Sequence, residues 1–129
     1  MKIHELLSAL AGAVSGDFST LSKFNFNGVY IICNCENEVV YIGSAYARTI
    51  QTRLSQYLRM NDTGNTLGKT IAKRLAGVET YDKNAKQKIT EAVEKIKNFS
   101  VYAIKHEDLE YKLINFANPE YNNNGKDED

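Results

Sequence analysis

The chain has 129 residues, and its 16 lysines and arginines balance 16 aspartates and glutamates, so the formal net charge at pH 7 is zero. One domain is expected at that length, burying roughly two thirds of the unfolded surface, and 25% charged residues with a single proline exclude a collagen-like or disordered chain. No stretch approaches the ~20 apolar residues of a membrane span, and zero net charge argues against a uniformly basic, DNA-wrapping surface.

Residues 3 to 14 place Ile3, Leu6, Leu7, Leu10, Ala11 and Val14 on one stripe at helical spacing, which predicts an amphipathic helix ended by Ser15-Gly16-Asp17. Its expected role is to cover the sheet, and the alternative is a partner-binding helix. His4 and Glu5 interrupt the apolar pattern of this segment, unlike a secretory leader, so a cytoplasmic protein is expected. Phe18 to Phe26 reads as an ordered loop with apolar anchors.

GVYIICNCENEVVYIG, from Gly28 to Gly43, carries two β-branched, aromatic-tipped runs around polar turn residues, which predicts a β-hairpin. Alternation puts Tyr30 and Ile32 on one face and Val29, Ile31 and Cys33 on the other, and folding about residues 35 to 37 brings Tyr30 near Tyr41. Cys33 and Cys35 are ill placed to pair and too few for a structural zinc site, so both are expected as thiols, with Cys33 in the core.

A helix is predicted from about Arg48 to Arg59, with Ile50, Leu54, Tyr57 and Leu58 at helical spacing and Arg53 and Tyr57 as neighbours on one face. Thr66 to Gly77 reads as a short helix exposing Lys69, Lys73 and Arg74, and residues 84 to 98 as another amphipathic helix. Between Ser44 and Lys88 nine basic residues face only three acidic ones, so a basic region exists despite the neutral whole. FSVYAI, residues 99 to 104, is the next strand, and His106 to Phe116 a helix that Pro119 prevents from continuing. His4 and His106 read as structural or surface residues. The expected architecture is a small α+β domain: a three-stranded, mainly antiparallel sheet of the hairpin and FSVYAI, flanked by helices.

The triplets Gly28-Val29-Tyr30 and Tyr41-Ile42-Gly43 resemble the signature of the GIY-YIG endonuclease superfamily, with Val in place of the first Ile. Later motifs of that family recur in order: TRLSQYL supplies Arg53 and Tyr57, and EYKLINFANPEYN supplies Glu110, Leu113-Ile114, Pro119 and Asn122. The segment between Gly43 and Arg53 is longer than the family's commonest spacing, which leaves the loop after the hairpin open to reshaping. The resemblance divides the chain into an N-terminal helical extension over 1–25, a nuclease-like domain over 26–122 and an acidic flexible tail over 123–129.

The resemblance implies a metal-dependent DNA endonuclease working with a single metal ion. Phosphodiester hydrolysis needs a nucleophile losing a proton, stabilisation of the non-bridging oxygens and help for the departing alkoxide. Glu110 is the expected ligand of Mg²⁺ or Mn²⁺, an ion that keeps most of its water shell. Arg53 offers a planar, permanently charged fork for the scissile phosphate. Tyr30 is expected to orient or deprotonate the attacking water with Tyr41 beside it in a relay, the sequence leaving open which of the two takes the proton, although a free phenol, with a pKa near ~10, must first be lowered. Tyr57 is assigned to a phosphate or a tyrosine hydroxyl, Asn122 to fixing the closing loop, and Gly28 and Gly43 to the frame of the motif. Ser44, Arg48, Lys69, Lys73 and Arg74 are the expected nucleic-acid contacts, with plain solubility as the alternative for the last three.

No zinc finger, helix-turn-helix or long basic tail is visible, so target choice would come from residues 44 to 88, from a homodimer or from a targeting partner protein. The rival readings are a nucleic-acid-binding module of the same fold without turnover, and a protein-interaction domain using the N-terminal helix.

Overall fold

The fold is taken from a computed structural model that describes residues 1–8, 10, 12–56, 94, 95, 97–105, 110–117 and 119. In chain order it has α1 (His4–Leu7), β1 (Val14–Asp17), a 3-10 turn (Leu21–Phe24), β2 (Gly28–Cys33), β3 (Val39–Ala45), α2 (Ile50–Gln56) and β4 (Ser100–Ile104). The last helix, α3, spans Glu110–Ala117.

The hairpin of β2 and β3 forms as its residues dictate. Asn34 Oδ1 accepts the backbone N–H groups of Glu36 and Glu38, at 2.9 and 3.0 Å, building the turn from a side chain. Asn37 then takes φ 62°, the left-handed region in which Asn is tolerated better than a β-branched residue. The pairing runs from Gly28↔Ala45 to Ile32↔Tyr41, then shifts so that Cys33 faces Val39. Val40 is therefore an extra residue in β3, and both Val40 and Tyr41 join the core on the side of Tyr30 and Ile32.

The sheet has four antiparallel strands in the order β1-β4-β2-β3, one more than expected. The additional strand comes from the segment read as the end of an amphipathic helix. That helix stops after a single turn, and Gly12, at φ 84°, redirects the chain into β1. β1 reads VSGD, a poor strand by propensity, yet it pairs with β4 from Val14↔Ala103 to Asp17↔Ser100, because the open edge of β4 supplies the partner. Asp17 closes the strand: its carboxylate accepts from the Ser19 N–H at 2.8 Å and from the Ser19 hydroxyl, which lowers its pKa.

Both faces of the sheet are covered. On one, Tyr30, Ile32, Val40, Tyr41 and Val101 pack with Phe18, Phe24, Ile50 and Leu54, so the expected apolar anchors of the loop and α2 meet the sheet here. On the other, Val29, Ile31, Cys33 and Ile42 pack with Ile3, Leu6 and Leu10 from the N-terminal segment and with Leu113, Ile114 and Ala117 of α3. The N-terminal segment crosses the whole sheet. It begins beside the hairpin turn, where Ile3 N–H donates to the Asn37 carbonyl at 2.9 Å and Val39 N–H to the Met1 carbonyl at 2.7 Å, and ends as β1 on the far edge. Ile3, Leu6 and Leu10 are buried under the sheet, so the apolar stripe is used internally.

Among the described residues no helix is long and apolar enough to cross a membrane. Cys33 and Cys35 are free thiols, the first buried and the second exposed. Burial, reinforced by the Glu38 carboxylate, pushes the Cys33 thiol up to about 12, as suits a core residue.

Candidate active site

The site is built on the face of the sheet that α2 covers. Tyr30 sits at the middle of β2, directly opposite Gly43 of β3, and Tyr41 lies diagonally from it. Their rings are 6.2 Å apart between centroids and tilted by 39°. Gly43 makes this packing possible: a Cβ there would stand 2.5 Å from Tyr30 Oη, 2.6 Å from its Cζ and 2.9 Å from Tyr41 Cε2. The phenol of Tyr30 therefore lies across the backbone of the second triplet. Gly28 is required by a different neighbour, since a Cβ on it would collide with the Ile104 carbonyl of β4.

Tyr30 has no exposure and Tyr41 has 7%. Among the described residues no buried side-chain N or O atom lacks a hydrogen-bond partner, so a buried phenol here does not carry an unmet desolvation cost.

Helix α2 brings Arg53 to the same side. Thr49 precedes its first residue and accepts the Thr52 N–H on its hydroxyl at 3.2 Å, an N-terminal cap. Ile50 and Leu54 are wholly buried beside the tyrosines, which fixes the rotation of the helix. Arg53, adjacent to Leu54, is half-buried, with Nη1 3.4 Å from Gln56 Oε1.

Ser44, half-buried, is the penultimate residue of β3, and the loop between β3 and α2 holds Arg48, exposed. Asn27 is the residue that sequence reasoning missed: its Nδ2 donates to the Tyr46 carbonyl at 3.1 Å and to the Arg48 carbonyl at 2.8 Å. The Ile50 N–H donates to the Phe26 carbonyl at 2.8 Å, so the loop is tied at both ends to the residues just before β2. An amide side chain immediately preceding Gly28 was the available signal.

Glu110 is the first residue of α3, and that helix packs through Leu113, Ile114 and Ala117 on the face opposite the tyrosines. The structure thus brings Tyr30, Tyr41 and Arg53 to one side, while α3 lies on the other, against β3, the edge strand that carries Tyr41. The Glu110 side chain, and Tyr57, Lys69, Lys73, Arg74 and Asn122, lie outside the described residues. Among those that are described, no group of three His, Cys, Asp or Glu side chains forms a metal cluster.

A four-stranded α+β sheet with paired tyrosines across a hairpin and an arginine on the following helix is the frame on which a comparison with known families bears. The family model of the GIY-YIG catalytic domain matches residues 26–123, and the chain belongs to that family, one of nucleases. No curated protein matches the chain significantly.

Proposed function

We propose that this protein is a divalent-metal-dependent endonuclease that hydrolyses phosphodiester bonds in DNA. The observation that carries the reading is the pair of tyrosines, 6.2 Å apart, packed on the sheet face beneath the helix that bears Arg53. A guanidinium there binds a non-bridging phosphate oxygen pair in the ground state and holds it more strongly as charge accumulates in the transition state.

The two phenols, with their rings 6.2 Å apart, orient and deprotonate the attacking water as a relayed pair. For either phenol to accept a proton near neutral pH, positive charge must lower its pKa, and Arg53 is the fixed source of that charge.

The donor chemistry fits a hard, hydrated cation. A single carboxylate, Glu110, leaves the remaining positions to water and phosphate oxygens, as Mg²⁺ and Mn²⁺ accept. When bound, such an ion supplies electrostatic stabilisation of the phosphate oxygens and a more acidic water. Ser44 and Arg48 lie on the strand end and loop next to the site and contact the DNA backbone. Lys69, Lys73 and Arg74 extend that contact, and Tyr57 and Asn122 complete the site.

The test is cleavage of end-labelled DNA in Mg²⁺ or Mn²⁺. Arg53→Ala and Glu110→Ala are expected to keep the wild-type circular dichroism and lose cleavage by at least about a hundredfold, the scale of one preorganised charge-stabilising group. A variant that cuts at the wild-type rate removes that residue from the site. A wild-type protein that binds DNA with salt-sensitive affinity and never cuts it is a binding module instead.

A further inference from the structure

A basic side chain outside residues 44 to 88 reaches the face of the sheet that carries the tyrosines. In β4, Val101 and Ala103 pack with Tyr30 and Tyr41, while Tyr102 and Ile104 pack with the opposite cluster, so the alternation returns to the tyrosine face at Lys105, one residue past the strand. The ammonium is placed independently: Lys105 Nζ lies over the Phe26 ring, 5.4 Å from its centroid, and Phe26 packs against the cluster of Tyr30, Tyr41, Ile50 and Leu54. Lys105 is exposed, and among the described residues it joins no ion pair, in contrast to Lys2 with Glu38 and Lys97 with Glu94. A lysine on a protein surface is ordinary. Seating on an aromatic face sets this one apart, because it orders a long side chain before any partner arrives and leaves ammonium donors over for an anion.

Its position fits a nucleic-acid strand running past the tyrosines. Both β3 and β4 are antiparallel to β2, so their ends lie together beside Gly28. Ser44 and the loop bearing Arg48 belong to the β3 flank of that end and Lys105 to the β4 flank, the two strands being about 10 Å apart across β2. Ala103 is the partner of Tyr30, and Lys105 is two residues further on, about 7 Å along the strand at ~3.3 Å per residue. With a rise of ~3.4 Å per nucleotide, that offset corresponds to about two nucleotides from a phosphate at the tyrosines.

We propose that Lys105 contacts a DNA backbone phosphate about two nucleotides from the scissile one, with Phe26 as its positioning residue, so that the strand is gripped from both flanks of β2. This rests on the nuclease reading for the polymer and for the place of the cut. A contact away from the reacting bond is made equally in the ground and transition states, so it lowers KM and leaves kcat alone.

The experiment uses the full chain and a fluorescein-labelled DNA duplex, titrated between about 50 and 200 mM KCl without divalent metal and then followed for cleavage in Mg²⁺. Lys105→Gln is expected to lower the slope of log affinity against log salt by about 0.9, so that the advantage of wild type shrinks about 3.5-fold across that range. It is also expected to raise KM and keep kcat, while Lys105→Arg stays near wild type in both. Lys97→Gln makes the same charge change before the other end of β4 and is expected to leave slope and KM unchanged. Phe26→Leu removes the ring face and is expected to weaken binding in wild type but no further in Lys105→Gln, a dependence that plain packing by Phe26 would not give. The contact is overturned if Lys105→Gln keeps the wild-type slope or if Lys97→Gln lowers it equally, and the seating on Phe26 is overturned if Phe26→Leu weakens both backgrounds alike. Salt-sensitive binding that depends on Lys105 without any cleavage upholds the contact and removes the nuclease reading. Cleavage with slope and KM indifferent to Lys105 removes the contact alone, and a protein without salt-sensitive DNA binding overturns both.

Discussion

Replacing Gly43 with alanine probes the packing on which the tyrosine pair depends. The added Cβ would stand 2.5 and 2.6 Å from Tyr30 Oη and Cζ and 2.9 Å from Tyr41 Cε2, all well inside normal contact. Tyr30 is fully buried and cannot swing outward, so either its ring shifts against Ile50 and Leu54 or the two strands separate. Overpacking of this kind destabilises by about 1–3 kcal/mol, which corresponds to about 3–6 °C in Tm per kcal/mol at this chain length. Urea unfolding of four proteins measures it: wild type, Gly43→Ala, Tyr30→Leu and the double variant. Leucine lacks the atoms at Oη and Cζ, so the alanine is expected to destabilise the Tyr30→Leu protein by clearly less than it destabilises wild type, a coupling of at least about 0.5 kcal/mol. Equal effects in the two backgrounds would refute the argument that Gly43 exists to seat this ring. Cleavage should fall with stability restored by mild conditions, because the same displacement moves the Tyr41 ring.

The remaining expectations concern the hairpin and its core. The Cys33 thiol is raised to about 12 in the native protein, so below the unfolded value of ~8.5 both states keep the proton. Above it only the unfolded chain ionises, and stability falls by at most about 1.4 kcal/mol per pH unit toward the native value. Urea midpoints between pH 7.5 and 10 should show this decline in wild type and a shallower one in Cys33→Ala. Iodoacetamide at pH 8 is expected to label the exposed Cys35 in the native protein and Cys33 only after unfolding, read by mass spectrometry. Asn37→Val forces a β-branched residue to φ 62° and should cost about 1–2 kcal/mol in thermal or urea unfolding, while Asn37→Gly stays within about 0.5 kcal/mol of wild type. Arg53→Lys should keep the fold and recover only part of the cleavage lost in Arg53→Ala, since an ammonium lacks the bidentate fork.

The hairpin was legible because its apolar residues alternate: Tyr30 and Ile32 were assigned to one face and Val29, Ile31 and Cys33 to the other, as the two core clusters hold them. The nearness of Tyr30 and Tyr41 followed from the same pattern, though not the extra residue at Val40, whose cause is in the pairing and not in the letters. The N-terminal segment misled because its stripe of Ile3, Leu6 and Leu10 is equally consistent with a long helix and with a short turn crossing a sheet. VSGD becomes a strand only because β4 presents an edge, a tertiary effect invisible to local propensity. Arg53 was placed by the period of Ile50 and Leu54, whereas the Asn27 clamp joins residues 19 and 21 positions apart and has no periodic trace. The side of the sheet chosen by α3 was likewise hidden, since Leu113 and Ile114 specify a buried stripe without saying which face receives it.

The path of residues 1–17 beneath the sheet has a practical consequence for anyone trimming this protein. The segment matching the family starts at residue 26, and a gene cut there would shed β1 together with Ile3, Leu6 and Leu10. What is left would show water a strip of Val29, Ile31 and Ile42 and the bare rim of β4, an open template for clumping with its own copies. The unit able to stay dispersed in a test tube is therefore larger than the unit a motif search delimits.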